Sequence, residues 1–355
     1  MSQHDVLPLG AVMGAGCLPF RDADAAVGFI AAQAPRAPFW PQLPRRSPLE
    51  GAVAQSLAPL WRYLTYDRDH RAMVVRPGAL DDLLGHMSDG EVKLEPSHAA
   101  GFDALLRAFD AGQFPEAEIV KGQLIGPVSL ALRLARGPER RPFVDHPTLT
   151  EACGRYLSRL AASQVESLRA TGQPVLVVIN EPTLAVDRSN NERLATAAER
   201  AVEMVMAGIR HAGGMAGLQS PLLPAANVLN RLRPEVYAFE DPRPHDGPAQ
   251  TAALATWLND GGRLVLGVHC DAAADAVSNR QHFTQWLQLA TTLGEPIDIA
   301  RRTSVMPVGD DITRARRVGG AFRQAAALAE LLHEAAMLRR PDAPHPSSQS
   351  SSDEV

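Results

Sequence analysis

Polar side chains follow the most strongly apolar segment of the sequence. Residues 175–179 read VLVVI, and the next residues are Asn180, Glu181 and Pro182. A short apolar run that ends in a turn is typical of a buried strand. A carboxylate at a strand end can bind a substrate amine, orient a substrate or act as a general base. We therefore expect Asn180 and Glu181 to be catalytic; alternatively, Glu181 caps the next helix or pairs with Arg188 in the same loop.

A second polar pair lies in the segment KGQLIGP. Lys121 and Gln123 are two residues apart, so their side chains share one face of an extended segment. An ammonium group and an amide can together bind the anionic part of a ligand, and we assign both residues to substrate binding. Gly126 and Pro127 would then form the turn that begins the following helix.

An aromatic residue and two arginines lie close together in a proline-rich stretch, residues 34–48. Trp40 could stack on a flat ring, and Arg45 and Arg46 could bind the carboxylates of a folate or corrinoid. We therefore include Trp40 and Arg45 among the substrate-binding candidates. For the arginines, a solvated surface pair is the alternative. Because Phe39, Trp40 and Leu43 in this stretch need burial, we expect it to be an ordered excursion near the barrel mouth rather than a linker.

A third group could bind a metal. The segment GVHCDA contains His269, Cys270 and Asp271 at the end of another apolar run, and Cys17 and Glu240 lie in two further loops. Alternation along a strand would point His269 and Asp271 one way and Cys270 the other. Zinc binds imidazole nitrogen, thiolate sulfur and carboxylate oxygen, so Cys17, Glu240 and His269 could form a site. Alternatively, the cysteines are small buried side chains, and His269 donates hydrogen bonds to neighbouring loops.

An alternation of strands and helices would have to position these residues. Short apolar segments typical of buried strands occupy residues 117–121, 175–179, 235–239, 263–268 and 304–306. Stretches with the apolar spacing of helices occupy residues 149–170, 191–211, 249–259, 279–293 and 311–337. This order predicts an α/β fold with a parallel sheet. In a barrel, the site would lie on the loops after the strands; a doubly wound open sheet is the alternative, although the sequence has no GxGxxG phosphate loop.

Composition narrows the possible functions. Forty acidic residues against 35 Lys and Arg leave a net charge of -5 with no basic block, which argues against a nucleic-acid partner. The three cysteines are far apart and form no disulfide framework, so we expect the protein to be located in the reducing cytoplasm. No stretch approaches the roughly 20 apolar residues of a membrane span, and no export signal precedes the first strand. Residues 339–355 are rich in Pro and Ser and predict a disordered tail.

Four motifs, in order, resemble the catalytic barrel of cobalamin-independent methionine synthase and the related uroporphyrinogen decarboxylase-like methyltransferases. They are GCLPFRDADAAVGFI, PFWPQLPRRSPLEGAVAQ, KGQLIGPVSL and INEPTL, and the likeness extends from about Gly14 to Leu332. The resemblance implies a single (β/α)8 TIM barrel over residues 1–338. It also implies transfer of a methyl group from a folate- or corrinoid-type donor to a thiol bound by zinc, since zinc keeps a thiolate nucleophilic at neutral pH.

The zinc ligands of this family are largely replaced here. The family uses His-x-Cys at one strand end, an acidic residue after the next strand and a late cysteine beside a glycine. Gln219 and Ser220, or its neighbour Pro221, occupy the His-x-Cys position, and Val308 occupies that of the late cysteine, whereas Glu240 keeps the acidic position. An amide and a carboxylate are hard, weak donors for zinc. We therefore expect a non-standard or absent zinc site and assign Gln219 and Ser220 to substrate binding.

Three functions remain open at this point. The first is one-carbon transfer by an enzyme that keeps Glu181 and Glu240 as catalytic carboxylates but has a changed acceptor or metal. The second is a non-catalytic binding protein, or a partner subunit, for a folate, corrinoid or tetrapyrrole ligand. The third is a decarboxylase that recognises carboxylates through arginines, for which the sequence offers only Arg45 and Arg46. We favour the first, acting on a small molecule, with a corrinoid protein or a partner subunit as the candidate partner.

Overall fold

The computed structural model describes residues 7–67, 72–185, 192–269 and 276–338. Its strands are β1 Leu64–Asp67, β2 Ala72–Val75, β3 Val120–Ile125, β4 Leu134–Arg136, β5 Arg141–Pro142, β6 Val175–Asn180, β7 Met215–Gln219, β8 Val236–Phe239, β9 Arg263–His269 and β10 Thr303–Val308. Its helices are α1 Ala23–Gln33, α2 Ala52–Leu57, α3 Leu80–Asp89, α4 Ala100–Asp110, α5 Pro127–Arg133, α6 Pro147–Leu168, α7 Glu192–His211, α8 Ala226–Leu232, α9 Gly247–Asn259, α10 Ala276–Leu293, α11 Pro296–Ala300 and α12 Val318–Met337.

The main sheet has six parallel strands in the order β10-β9-β8-β7-β6-β3 and curls into a half-barrel. Almost every strand residue is buried, as in Val175–Asn180, where only the last residue is exposed. Parallel strands joined by helices are covered on both faces, which is why they are apolar nearly throughout. The α/β fold with a parallel sheet is therefore confirmed, and the loops after the strands meet at one edge of the sheet.

Two N-terminal segments, residues 11–18 and 38–42, hydrogen-bond to the two edge strands of this sheet. At one edge, Met13 N donates to Val305 O (3.0 Å) and Val305 N donates to Ala11 O (3.0 Å). At the other, Lys121 N donates to Pro38 O at 2.8 Å. The segments also join each other through a parallel bridge between Cys17 and Gln42. Backbone groups that an open sheet would leave unpaired are thus satisfied.

A second sheet lies outside the main one. Its order is β1-β2-β4-β5, with antiparallel pairs at each end and a parallel pair between β2 and β4. The sequence analysis did not predict this sheet, because its strands are two to four residues long and too short to show a periodic pattern.

The strands and helices predicted from the sequence are present, with shifted ends. The strand expected at 117–121 is the main error, since β3 begins at Val120 and includes Lys121 and Gln123 as buried residues. Strand β7 was missed because a glycine and an alanine interrupt its short apolar pattern. The helix expected from 311 begins only at Val318, after a 3-10 turn.

The proline-rich excursion at 34–48 is ordered, and part of it lies beside β3. The burial expected of its apolar residues is confirmed, since Phe39, Trp40 and Leu43 are at most 1% exposed. The predicted tail at 339–355 lies outside the described residues. Among the described residues, no helix combines the length and the apolar character that a membrane crossing requires.

Close packing of the first segment against this excursion depends on Gly14. A Cβ at Gly14 would lie 2.0 Å from the Phe39 ring, which is fully buried and stacks on Phe322 at 6.2 Å between ring centroids. A methyl group therefore cannot be added without moving core side chains, and overpacking of this kind costs about 1–3 kcal/mol.

We expect Gly14→Ala to lower the free energy of unfolding by about 1–3 kcal/mol in urea denaturation because of this clash. The matched control is Gly28→Ala on α1, where a Cβ meets nothing within 4 Å. That change should stabilise the protein by about 0.5–1 kcal/mol through helix propensity. Equal stabilities for the two variants would contradict the packing described here.

Candidate functional site

Glu181 holds the start of α5 in place. It is fully buried, and its Oε2 accepts hydrogen bonds from the backbone N–H groups of Val128 (2.8 Å) and Ser129 (3.0 Å). Its Oε1 accepts from the hydroxyls of Ser129 (2.6 Å) and Thr183. A carboxylate at the first turn of a helix satisfies amides that have no partner within the helix. The sequence-based alternative of a helix cap therefore describes Glu181 better than catalysis, although the capped helix precedes β6 rather than follows it.

The space for this carboxylate comes from the glycine before α5. A Cβ at Gly126 would lie 2.3 Å from Glu181 Oε2. The Gly126-Pro127 pair does form the turn that begins the helix, as predicted, and Gly126 N donates to Asn180 O at 2.8 Å. The Arg188 alternative lies outside the described residues.

A cavity of about 520 Å³ opens at the carboxyl edge of the main sheet, between β3, β6 and the N-terminal segments. Asn180 lines it with an exposed side chain, so this residue, not its neighbour Glu181, faces the open space. The other polar groups on its wall are Gln42, Gln123, Ser129, Arg133 and Thr183. The volume suits a small-molecule ligand. Sequence analysis missed Gln42 and Ser129, although both lie in the motifs PFWPQLP and GPVSL.

Lys121 lies below the floor of this cavity rather than in its wall. Its side chain is 1% exposed, and Nζ donates to Ala15 O (3.3 Å) and Gln123 Oε1 (3.2 Å), both on residues that line the cavity. Gln123 Nε2 in turn donates to Trp40 O at 2.8 Å. Burial lowers the pKa of Lys121 to about 7, which the nearby Cys17 opposes in part. Of the two predicted ligand-binding residues, only Gln123 reaches the cavity.

Cys17 belongs to the same polar cluster. Its Sγ contacts Gln42 Oε1 at 3.5 Å, and Gln42 Nε2 donates to Gln55 Oε1 at 2.7 Å. Burial raises the pKa of the Cys17 thiol, and the positive charge of Lys121 opposes this shift in part. The thiol is thus held in a polar cluster near β3, where burial disfavours its thiolate form.

Glu240 and His269 pair at the ends of β8 and β9. The distance between His269 Nε2 and Glu240 Oε2 is 2.7 Å, and the imidazole is 61% exposed. Two glycines make room for the pair: a Cβ at Gly267 would lie 3.0 Å from Glu240 Cγ, and a Cβ at Gly309 would lie 3.0 Å from His269 Nδ1. A carboxylate that fixes one ring nitrogen orients the other for proton transfer.

The proposed relocated metal site is only partly assembled. Glu240 and His269 meet, but Cys17 is engaged with Gln42 in the cluster near β3. In the parts of the chain that the structure describes, no three His, Cys, Asp or Glu side chains are arranged to bind one ion. Cys270 lies outside those parts. The described donors therefore do not fit the zinc site of the resembled family.

The residues at the zinc-ligand positions of the resembled family are buried near the ends of β7 and β10. Gln219 ends β7, and its carbonyl accepts from Glu181 N at 2.9 Å. Ser220 N donates to Ala238 O at 3.0 Å, and Val308 pairs with His269 in the register of β10 and β9. Gln219 and Ser220, which the sequence analysis assigned to substrate binding, are at most 7% exposed and do not line the cavity beside Asn180.

Trp40 and Arg45 are also placed away from the cavity. The Trp40 ring is 1% exposed, donates from Nε1 to Gln164 Oε1 (3.3 Å) and packs edge-on against Phe102. A ring enclosed in this way cannot stack on a ligand, and its size and apolar character explain its place in the core. Arg45 is exposed and does not line the cavity.

Comparison with known proteins assigns no family. No protein family profile matches the chain, and no curated protein sequence matches it. Among solved structures, the chain is similar to a glycoside hydrolase 5 lichenase from Caldicellulosiruptor sp. determined with cellotetraose, with a TM-score of 0.42 and 9% identity over 91% of this chain and 98% of that chain. It is also similar to D-psicose 3-epimerase from Clostridium cellulolyticum with D-tagatose, with a TM-score of 0.32 and 11% identity over 65% of this chain and 93% of that one.

We expect Glu181→Ala to lower the free energy of unfolding by about 3 kcal/mol, because it leaves two amides and a hydroxyl at the start of α5 without their acceptor. Urea denaturation measures this change. The matched control is Asn180→Ala at the adjacent exposed position, which should change stability by less than about 0.5 kcal/mol. A stable Glu181→Ala variant that loses only activity would instead favour a catalytic carboxylate.

Burial of Lys121 predicts a dependence of stability on pH. The pKa is about 7 in the folded protein against the ordinary value of 10.5. The unfolded state therefore binds more protons between these values, so the free energy of unfolding rises with pH above 7, by up to about 1.4 kcal/mol per unit. Below pH 7 Lys121 is protonated in both states, and the full free-energy cost of burying its charge is present.

The measurement is urea denaturation of the wild type and Lys121→Met between about pH 7 and pH 8.5. Above about pH 8.5, other groups also change the free energy of unfolding. Burial raises the pKa of Cys153, Tyr156 and Tyr237, and these groups therefore make the free energy of unfolding fall as pH rises. The variant should lose the rise that the wild type shows. Parallel curves for the two proteins would mean that Lys121 keeps an ordinary pKa.

Proposed function

We propose that the two N-terminal segments are the first and second strands of an eight-stranded (β/α)8 barrel. Met13 in the first segment bonds to β10, and Lys121 on β3 bonds to Pro38 in the second segment. Together with the bridge between Cys17 and Gln42, these contacts support a closed order in which residues 11–18 and 38–42 lie between β10 and β3. In this arrangement β9 is opposite β3 across the mouth. The cavity and the Glu240–His269 pair then open toward one common space, where barrel enzymes have their active sites.

On this barrel we propose one-carbon transfer to a small-molecule acceptor, as in the resembled methyltransferases. The Glu240–His269 pair, with its 2.7 Å contact at two strand ends, is the observation that carries the proposal. Glu240 stands at the acidic position of that family, and His269 supplies a general base where the thiolate ligands are replaced. Because the described donors do not fit the family zinc site, we derive no step through zinc.

The proposed step uses only groups of this chain and the two substrates. His269 Nδ1 takes the proton of the acceptor, and Glu240 stabilises the imidazolium that forms. The lone pair of the acceptor forms a bond to the methyl carbon while the bond between this carbon and the donor breaks, leaving its electron pair on the donor. Gln42, Gln123 and Asn180 in the cavity wall offer amides to a polar donor of the folate or corrinoid type.

The test uses purified protein, methyltetrahydrofolate or methylcobalamin as donor and a panel of thiols as acceptors. We expect His269→Gln to lower kcat/KM by about 10²–10⁴, the usual contribution of a general base, without loss of stability, because the ring is mostly exposed. The matched control is His245→Gln in the exposed loop before α9, which should keep wild-type turnover. Equal turnover by both variants would exclude the proposed base.

A second candidate is ligand binding without chemistry, favoured by the uncharged Gln219 and Val308 at the positions of the family ligands. Tight binding of a folate or corrinoid by the wild type, with no methyl product for any acceptor, would support it. Asn180→Ala should then weaken binding, because this side chain lines the cavity. The zinc content of the same samples, with Cys17→Ser and Cys270→Ala beside the wild type, tests whether a metal belongs to either function.

A further inference from the structure

A second concave surface lies on the small sheet, away from the mouth of the main sheet. It is a groove of about 1040 Å³ lined by residues of β1, β2 and β4 and of the turn between β4 and β5. None of the residues lining it lines the cavity beside Asn180. We call it the arginine groove, and its charged lining residues are Asp67, Arg76, Arg136, Glu139, Arg140 and Arg141.

The arginine groove is positive in a chain that is negative overall. Four arginines face two carboxylates in its wall, whereas the whole chain carries a net charge of -5. A local excess of one sign in a concave surface concentrates ions of the opposite sign. The groove is therefore suited to an anionic ligand.

Several guanidinium groups keep donors available for a ligand. Arg136 makes no side-chain hydrogen bond with any described residue, and Arg76 uses only Nε, which donates to Leu64 O at 3.0 Å. Arg141 likewise uses Nε, on Glu139 Oε2 at 2.6 Å. The remaining N–H groups form planar forks that match the oxygens of phosphate or carboxylate.

The backbone of Arg140 adopts a left-handed conformation that residues other than glycine rarely adopt. Its φ is +53°, and in the described part of the chain only Arg233 is another non-glycine residue with a positive φ. Arg140 Nε donates to Asp67 Oδ2 at 2.7 Å, so one carboxylate of the groove is already paired within the protein. Glycine would adopt this turn at lower cost, and an arginine kept in a strained turn points to a role for its side chain.

We propose that the arginine groove binds a small polyanion, a molecule carrying several phosphate or carboxylate groups. The available edges of Arg76, Arg136 and Arg141, which all line the groove, supply charge-assisted hydrogen bonds. The exposed ring of Tyr66 lies in the same wall and offers a flat face to an organic part of the ligand. The inference is independent of the function proposed for the mouth of the main sheet.

Isothermal titration calorimetry with the full chain tests the proposal, using tripolyphosphate and citrate as probes. We expect a dissociation constant below about 1 mM in low salt for at least one probe, and weaker binding as NaCl is added. Arg136→Gln should weaken binding about tenfold, and Arg76→Gln by a similar factor, because each removes a charge-assisted donor. Binding of tripolyphosphate alone would indicate a phosphate ligand, and binding of citrate alone a carboxylate ligand.

The matched control is Arg193→Gln on α7, an exposed arginine outside the groove, which should bind like the wild type. Thermal melting checks that each variant folds; because the Arg136 side chain makes no hydrogen bond to described residues, Arg136→Gln keeps the test valid even if Arg76→Gln is unstable. Absence of binding for both probes, or equal affinity of the Arg136 and Arg193 variants, would overturn the proposal.

Discussion

The architecture depends on hydrogen bonding at the two edges of the parallel sheet. An unpaired edge strand presents a row of amides and carbonyls that must find partners. Here β10 and β3 find them in the N-terminal segments, at Val305 and Lys121. Because the segments also bond to each other at Cys17 and Gln42, a stretch of chain with no regular strand of its own fixes the curvature of the sheet and forms one wall of the cavity.

This pairing explains why polar residues are buried beside the cavity. The side chain of Lys121 points into the space between the sheet and the first segment, where Ala15 O and Gln123 Oε1 are its partners. A buried ammonium is costly unless it is hydrogen-bonded or neutral. Two acceptors hydrogen-bond to Nζ, and burial lowers its pKa to about 7, which brings the neutral form within reach at neutral pH. The cluster thus positions Gln123 and Gln42 in the wall of the cavity.

The carboxylates Glu181 and Glu240, at the ends of β6 and β8, have different surroundings. Glu181 is enclosed by four donors at the start of α5 and has no lone pair directed at solvent. Glu240 contacts the exposed ring of His269, which is open to a reacting molecule. Sequence alone gave both residues the same position at a strand end. Their partners, which come from distant parts of the chain, separate a carboxylate enclosed at a helix start from one that contacts an exposed imidazole.

The sequence by itself determined the α/β alternation, the parallel sheet, the longer helices α6, α7, α9, α10 and α12 and the burial of Phe39, Trp40 and Leu43, since periodicity and apolar content are local properties. It also identified Asn180, Gln123, Glu240 and His269 as residues near strand ends. Only the tertiary structure decided that the Trp40 ring is too enclosed to stack on a ligand, that Cys17 joins Gln42 rather than His269, and that a second sheet carries a positive groove. These outcomes depend on which segments become neighbours in space, and that choice is made by long-range hydrogen bonding and packing that no local pattern records.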